Sequence, residues 1–396
     1  MKELVFIAHR LPFPPNKGEK LRAYHFLKFM AQRYPTHLLC HIDEERDLEA
    51  VQKIDLPLAS LHYHFSPRNQ RKRRCLKALL TGRSLSVAYF YDVPLQKAFN
   101  TLLRKRPIDF IFCSCSPAAE YVFQARISGR TLLLDFMDVD SEKWRAFSRH
   151  TIPPMCWIYA LESRRLRPYE KKIAQTFDQV FLVTEAEARL FREKVCDTGN
   201  IFVIENGVDL ERFSPDYQSP LNKKSPTLVF TGAMDYWPNA EGVIWFSKEI
   251  FPKIKQVFPE TRFYIVGKDP TKEVRELSKI EGVEVTGFVA DIRDYMALAD
   301  VCVAPLRLAR GVQNKILEAM AMGKPVVATS AAAEGIKAQP GKHLLVADSP
   351  DEFAQAILTL LKDPSKALQI GWQARILVEN HYLWEKQLRK LERLLP

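Results

Sequence analysis

Apolar positions along the chain gather into short continuous runs. Between the runs they recur at three- and four-residue spacing. The runs lie at 3–8, 37–42, 109–113, 131–136, 179–183 and 201–204 in the first half. In the second half they lie at 228–230, 263–266, 283–286, 301–305, 326–329 and 343–348. Runs of this length, bounded by Gly, Pro, Asn, Asp or Ser, predict buried strands. The helical spacing predicts helices over 19–33, 155–176, 185–194, 350–362 and 364–396. In the first of these Ala23, Phe26, Leu27 and Met30 share one face. Strand alternating with helix through both halves predicts an α/β protein with two doubly wound parallel sheets. The stretch from Ser214-Pro215 to Ser225-Pro226 breaks the alternation and predicts a linker. The boundary is placed near 216, giving domains 1–215 and 216–375.

Composition narrows the class. A chain of 396 residues, 47% apolar, has room for two globular cores. No apolar run approaches the roughly 18 to 20 residues of a membrane-spanning helix. Leu4–Ala8, followed by His9-Arg10, reads as a first strand and not as a secretory leader. Seven cysteines at irregular spacing, with Cys113 and Cys115 one residue apart, predict reduced thiols and a cytoplasmic protein. No metal site and no cofactor is expected.

The net charge of +11 is uneven: residues 1–215 hold 34 Lys+Arg against 25 Asp+Glu, or +9, and residues 216–396 hold 24 against 22, or +2. Residues 68–83, RNQRKRRCLKALLTGR, carry seven basic side chains and no acidic one, with Leu76, Leu79 and Leu80 at helical spacing. Such a segment fits peripheral contact with an anionic inner membrane surface; a solvated basic helix is the alternative. No nucleic-acid motif is present, so nucleic acid is not an expected partner.

The chemistry concentrates in 310–330, RGVQNKILEAMAMGKPVVATS. It reads as a loop opened by Gly311, an apolar helix, a stop at Gly323 and a short strand. Glu318 is the carboxylate inside that helix. Burying it is costly unless hydrogen bonds satisfy it, and a sugar diol would supply two. The helix N-terminus beyond Gly311 is a natural phosphate seat, with Arg310 and Lys315 adding positive charge. A nucleotide has both parts. Elsewhere, Asp135, Asp138 and Asp140 crowd the carboxyl end of the 131–136 strand, where chemistry gathers in open α/β sheets. Capping of the next helix is the alternative there. Lys17, Gly18, Lys20 and Arg22 open the first helix. Cations oppose the macrodipole at that end, which fits a docked anion as well as it fits solvated side chains.

The 310–330 run resembles the donor-site signature of retaining nucleotide-sugar glycosyltransferases of the GT-B fold, the group 1 or family 4 type. That signature is Glu, seven residues, then Glu. Glu318 matches the second Glu, and Arg310 stands where the first would be. The string Arg-Gly-Val-Gln-Asn-Lys ahead of Leu-Glu-Ala-Met resembles a subgroup associated with exopolysaccharide and PEP-CTERM/exosortase systems. The resemblance implies two Rossmann-like domains facing across a cleft, with a helix at about 376–396 packing back on the first. It implies an enzyme that transfers a sugar from a nucleotide-diphosphate donor to a lipid-linked saccharide acceptor, with retention and no obligatory metal. It casts Gly232, Gly267, Gly287 and Phe288 as donor-binding with Arg310, Gly311, Lys315 and Glu318. Asp138, and second Asp140, would face the reaction centre, and Lys17, Gly18, Lys20 and Arg22 the acceptor. Members of the family place Arg and Lys in the turn after Gly232; the span 233–240 has neither. Rival readings are a nucleotide-sugar epimerase of similar fold and a non-catalytic protein binding membrane or nucleic acid.

Overall fold

A computed structural model describes residues 2–15, 18–42 and 44–394. The chain divides into two compact units. One runs to Ile204 and includes the chain from Lys390 onward, and the other is Glu205–Arg389.

The first unit is built on seven strands: β1 (Glu3–Ala8), β2 (Thr36–Ile42), β3 (Leu58–Phe65), β4 (Ile108–Cys113), β5 (Thr131–Met137), β6 (Gln179–Leu182) and β7 (Ile201–Val203). They pair in the order β3-β2-β1-β4-β5-β6-β7, every pair parallel. Helices cover both faces of such a sheet, so its central strands read as unbroken apolar runs. Leu4, Val5 and Phe6 of β1 are fully buried accordingly. Phe6 stacks on Phe112 of β4 at 4.9 Å between ring centroids. The opposite face holds Val5, Ile7, Ile111 and Leu134 against Phe99, Ile173 and Phe191.

The second unit has β8 (Thr227–Thr231), β9 (Arg262–Val266), β10 (Val283–Gly287), β11 (Val301–Ala304), β12 (Val326–Ala328) and β13 (Leu345–Val346). Their order is β10-β9-β8-β11-β12-β13, again all parallel. In each sheet the strand order reverses once, beside β1 in the first and beside β8 in the second. Ligands of open α/β sheets bind beyond the carboxyl ends of the strands at such a reversal.

Helices Met155–Thr176, Glu185–Lys194 and Pro350–Lys362 fall on the predicted bounds. The expected long helix over 364–396 is two, Pro364–His381 and Trp384–Glu392. The break is used: Val208 N–H donates to the Tyr382 carbonyl at 2.7 Å, and Val208 bridges Leu383. A Cβ on Gly207 would fall 2.4 Å from Trp384 N, so the two segments touch backbone to backbone. This contact places the unit boundary at Ile204/Glu205, ahead of the serine–proline stretch near 216. Of the span 376–396, only the chain from Lys390 onward joins the first unit. There Arg33 Nε donates to Glu392 at 2.8 Å, and Gln179 donates to the Leu394 carbonyl. Among the described residues no helix is long and apolar enough to cross a membrane.

Candidate functional site

The reversal in the second sheet lies between β8 and β11, and the predicted glycines cluster beside it. Gly232 follows β8, Gly267 follows β9 and Gly287 ends β10. Gly232 N–H donates to Val266 O at 2.9 Å, and Gly267 N–H donates to Gly287 O at 3.2 Å. Gly267 has φ +153°, and a Cβ there would fall 1.7 Å from Gly232 O. Only glycine allows that approach. The three strand ends thus form a floor of bare backbone. Phe288, next in line, is 74% exposed.

β11 leads through a loop to the helix Asn314–Ala321, whose Ile316, Leu317, Ala319, Met320 and Ala321 are buried. That apolar face fixes the helix on the sheet and brings Lys315 to Gly232, with Glu318 one turn further along the helix. Lys315 Nζ donates to Asn239 Oδ1 at 2.6 Å and lies 4.1 Å from the Phe230 ring centroid. It lies 3.1 Å from where a Cβ on Gly232 would be. The helix N-terminus is preceded by Arg310 and Gly311, with φ +63° at the glycine. Gln313 Nε2 donates to the Arg310 carbonyl at 2.9 Å. Gly335 packs on this loop so closely that a Cβ would fall 2.1 Å from Gly311 O. Asn314 Oδ1 accepts from Asn206 Nδ2 at 2.9 Å, which anchors the helix start to the Glu205–Val208 segment.

Burial works against the charge on each member of this pair. It pushes the Lys315 ammonium down to about 7, against the support of Glu318. It lifts the Glu318 carboxyl to about 7, against Arg212 and Lys315. Burial thus works against both charges, and a ligand that hydrogen-bonds the carboxylate and pairs with the ammonium would favour both charged forms. Asn239, Arg212 and Gly335 were not singled out in the sequence. Asn239 carries no charge, and the other two reach the site from distant segments.

In the first unit, Asp138 and Asp140 follow β5. Met137 has φ +64°, a left-handed conformation costly for a side chain of this size. Two buried carboxylates hold the strained turn. Val139 N–H donates to Glu187 at 2.7 Å, and Ser141 donates its N–H (2.9 Å) and its hydroxyl to Glu170. Burial, reinforced by Asp140, lifts Glu170 to about 8. Asp140 accepts from the Ser116 hydroxyl at 2.6 Å and opens the helix Asp140–Arg149, so it has a structural partner.

Two acceptor assignments are corrected. Lys20 is buried and paired with Asp47 at 2.6 Å. Arg22 is 0% exposed and grips Asp135 through Nε and Nη2 at 2.6 and 2.7 Å, with Nη1 donating to the Ile204 carbonyl at 2.7 Å. Their charge is consumed inside the unit, and so is that of Asp135. Gly18 is exposed at the start of its helix; Lys17 lies outside the described residues. The basic helix is also partly internal. Arg71 is buried with its guanidinium 4.5 Å from the Tyr89 ring centroid, and Arg74 donates to Asp92 and to the Tyr91 carbonyl.

Two Rossmann-like sheets of this order define the GT-B class, and the likeness to solved structures agrees. Sucrose-phosphate synthase from Thermosynechococcus elongatus superposes with a TM-score of 0.74 at 18% identity, covering 100% of this chain and 98% of that one. Residues 225–363, which hold the glycine floor and the Lys315–Glu318 pair, match the family described as Glycosyl transferases group 1. An uncharacterised 44.6 kDa protein in the cps region of Klebsiella pneumoniae is 20% identical over 396 residues, 96% of this chain and 97% of its own. A GDP-mannose-dependent alpha-(1-6)-phosphatidylinositol monomannoside mannosyltransferase from Mycobacterium tuberculosis is 28% identical over 243 residues. That match takes in 56% of this chain and spans 62% of the mannosyltransferase's length.

Proposed function

We propose that this chain is a glycosyltransferase that takes a sugar from a nucleotide-diphosphate donor held by the second unit. One observation carries the reading: a floor of side-chain-free backbone at the sheet reversal, with the Lys315 ammonium beside it and the Glu318 carboxyl one helical turn on. Backbone left open by the glycines and the Lys315 ammonium suit the close approach of a diphosphate, and Glu318 suits a ribose diol. The group 1 match over the same residues supports it. Arg310 joins Lys315 as a phosphate group, and Phe288 offers an exposed ring to a base. Stabilising the leaving diphosphate by fixed donors is the catalytic contribution of this unit.

In the finer reading the reaction retains anomeric configuration, and Asp138 faces the reaction centre on its strained turn. The acceptor is a lipid-linked saccharide in exopolysaccharide assembly, met at the cytoplasmic face of the membrane. The cps-region relative and the lipid acceptor in the mannosyltransferase's name favour this. So does the outer side of the helix Arg68–Thr81, where Lys72, Arg73 and Lys77 surround Leu76 and Leu80, 66% and 87% exposed.

The test is a panel of nucleotide-sugars screened by thermal shift, followed by assay of nucleotide release. A selective ligand raises the melting temperature by mass action. A chain that responds to no nucleotide-sugar and no nucleoside diphosphate lacks the proposed activity.

A further inference from the structure

The loop after β8 and the first turn of the helix Trp237–Trp245 contain no Lys or Arg between Gly232 and Ala240, yet a cation stands beside the loop. The Lys315 ammonium comes from the helix Asn314–Ala321 and reaches within 3.1 Å of the Cβ position of Gly232. Asn239 meets it there. Asn239 is buried; its Oδ1 accepts from Lys315 at 2.6 Å, and its Nδ2 donates to the Ala233 carbonyl at 2.8 Å. Its own N–H donates to the Tyr236 carbonyl at 2.9 Å. One side chain, in the first turn of the helix Trp237–Trp245, therefore ties the loop after β8 to that helix and to the helix Asn314–Ala321.

The chemistry of the fastening matters. An amide oxygen accepts a hydrogen bond without cancelling the charge of the donor. A carboxylate in the same place would form an ion pair and leave little charge for a ligand. The Phe230 ring beneath the ammonium is likewise neutral. Glu318, on the same helix, is the charged group that acts on Lys315.

We propose that Asn239 is the positioning residue that holds the Lys315 ammonium over Gly232 as a phosphate-facing cation, so that the loop borrows from another element the charge it lacks. The inference rests on the donor reading above and adds a residue and a role to it. It predicts that Asn239 affects recognition of phosphate and leaves recognition of the nucleoside alone.

The experiment measures binding of UDP and GDP, and of uridine and guanosine, by calorimetry from pH 6 to 9. Wild type, Asn239→Leu and Asn239→Asp are compared, each checked for an unchanged circular dichroism spectrum. Asn239→Leu should weaken the preferred diphosphate about tenfold, the scale of one charge-assisted hydrogen bond, with nucleoside affinity unchanged. In the wild type, diphosphate affinity should fall as Lys315 loses its proton above about pH 7. Asn239→Asp, nearly isosteric, should move that fall to higher pH by about one unit or more, because an adjacent carboxylate favours the ammonium. It should also weaken the diphosphate at pH 6. Equal losses of nucleoside and diphosphate in Asn239→Leu would reduce the residue to a structural tie and overturn the proposal. An Asn239→Asp profile that superposes on the wild type would overturn it too. A wild type that binds neither diphosphate would sink the donor reading itself, whereas unchanged diphosphate binding in Asn239→Leu sinks this inference alone.

Discussion

The Arg22–Asp135 pair separates a structural cation from an acceptor-binding one by a measurable energy. The guanidinium is 0% exposed, makes two bonds to the carboxylate at 2.6 and 2.7 Å and a third to the Ile204 carbonyl at 2.7 Å. Asp135→Leu leaves that charge buried and unpaired, a loss of about 3–5 kcal/mol, and Arg22→Met does the same to the carboxylate. The double variant removes both charges and keeps most of the volume, so it should lose far less than the sum of the two single losses. A coupling of at least ~2 kcal/mol is expected from the cycle. Because the chain has two units, one melting curve does not isolate the effect. Hydrogen exchange read on peptides from the helix Gly18–Ala31 and from β5, between which the pair is strung, does. Protection should collapse in each single variant and recover in the double. If Asp135→Leu keeps wild-type protection while transfer to acceptor fails, the pair is not holding the fold and the anion-docking role of Arg22 returns.

Four further outcomes are expected. Glu318→Ala should weaken the bound nucleotide at least about tenfold with the fold intact, and Lys315→Ala should weaken the diphosphate more than the nucleoside; calorimetry with both ligands checks each. For Glu170, burial and Asp140 lift the carboxyl from 4.5 to about 8. Between those values the folded chain keeps a proton that the unfolded chain has released, so stability falls as pH rises through the window. Glu170→Gln should remove that part of the slope, and melting curves of the two proteins from pH 5 to 9 that run parallel would refute it. Leu76→Asp with Leu80→Asp should cut sedimentation with phosphatidylglycerol vesicles by about tenfold or more, since each leucine would otherwise leave water at ~1.5–3 kcal/mol; an undiminished pellet removes this helix from the membrane reading.

Much of this architecture was legible because buried parallel strands announce themselves as apolar runs, and most predicted runs became strands of one or other sheet. Edge strand β3 was not. Its sequence, Leu-Ala-Ser-Leu-His-Tyr-His-Phe, alternates with polar residues because the strand has one neighbour and is only partly buried. Glu318 drew attention from residue type alone, since a carboxylate in an apolar helix is unusual, whereas the glycines at the strand ends were named through the family resemblance. Lys20 and Arg22 were misread because a buried cation and an exposed one are spelled alike, and the partner of Arg22 lies 113 residues away. Asn239 left no mark, being neutral, short and in the first turn of the helix Trp237–Trp245. The boundary was drawn at the serine–proline stretch; what sets it is Gly207 lying on Trp384, a contact between segments far apart in the chain.

Gly335 meets the Gly311 main chain so closely that no side chain fits at 335, and Gly311 holds φ +63°, a conformation side chains rarely adopt. Descendants of this protein are thus free to vary what projects from the 306–310 loop, but not how far that loop stands from the turn that follows β12. Diversification toward new sugars would run through exchangeable groups mounted on a fixed mouth, and a lineage that lost either glycine would have to rebuild the opening before it could refine its choice.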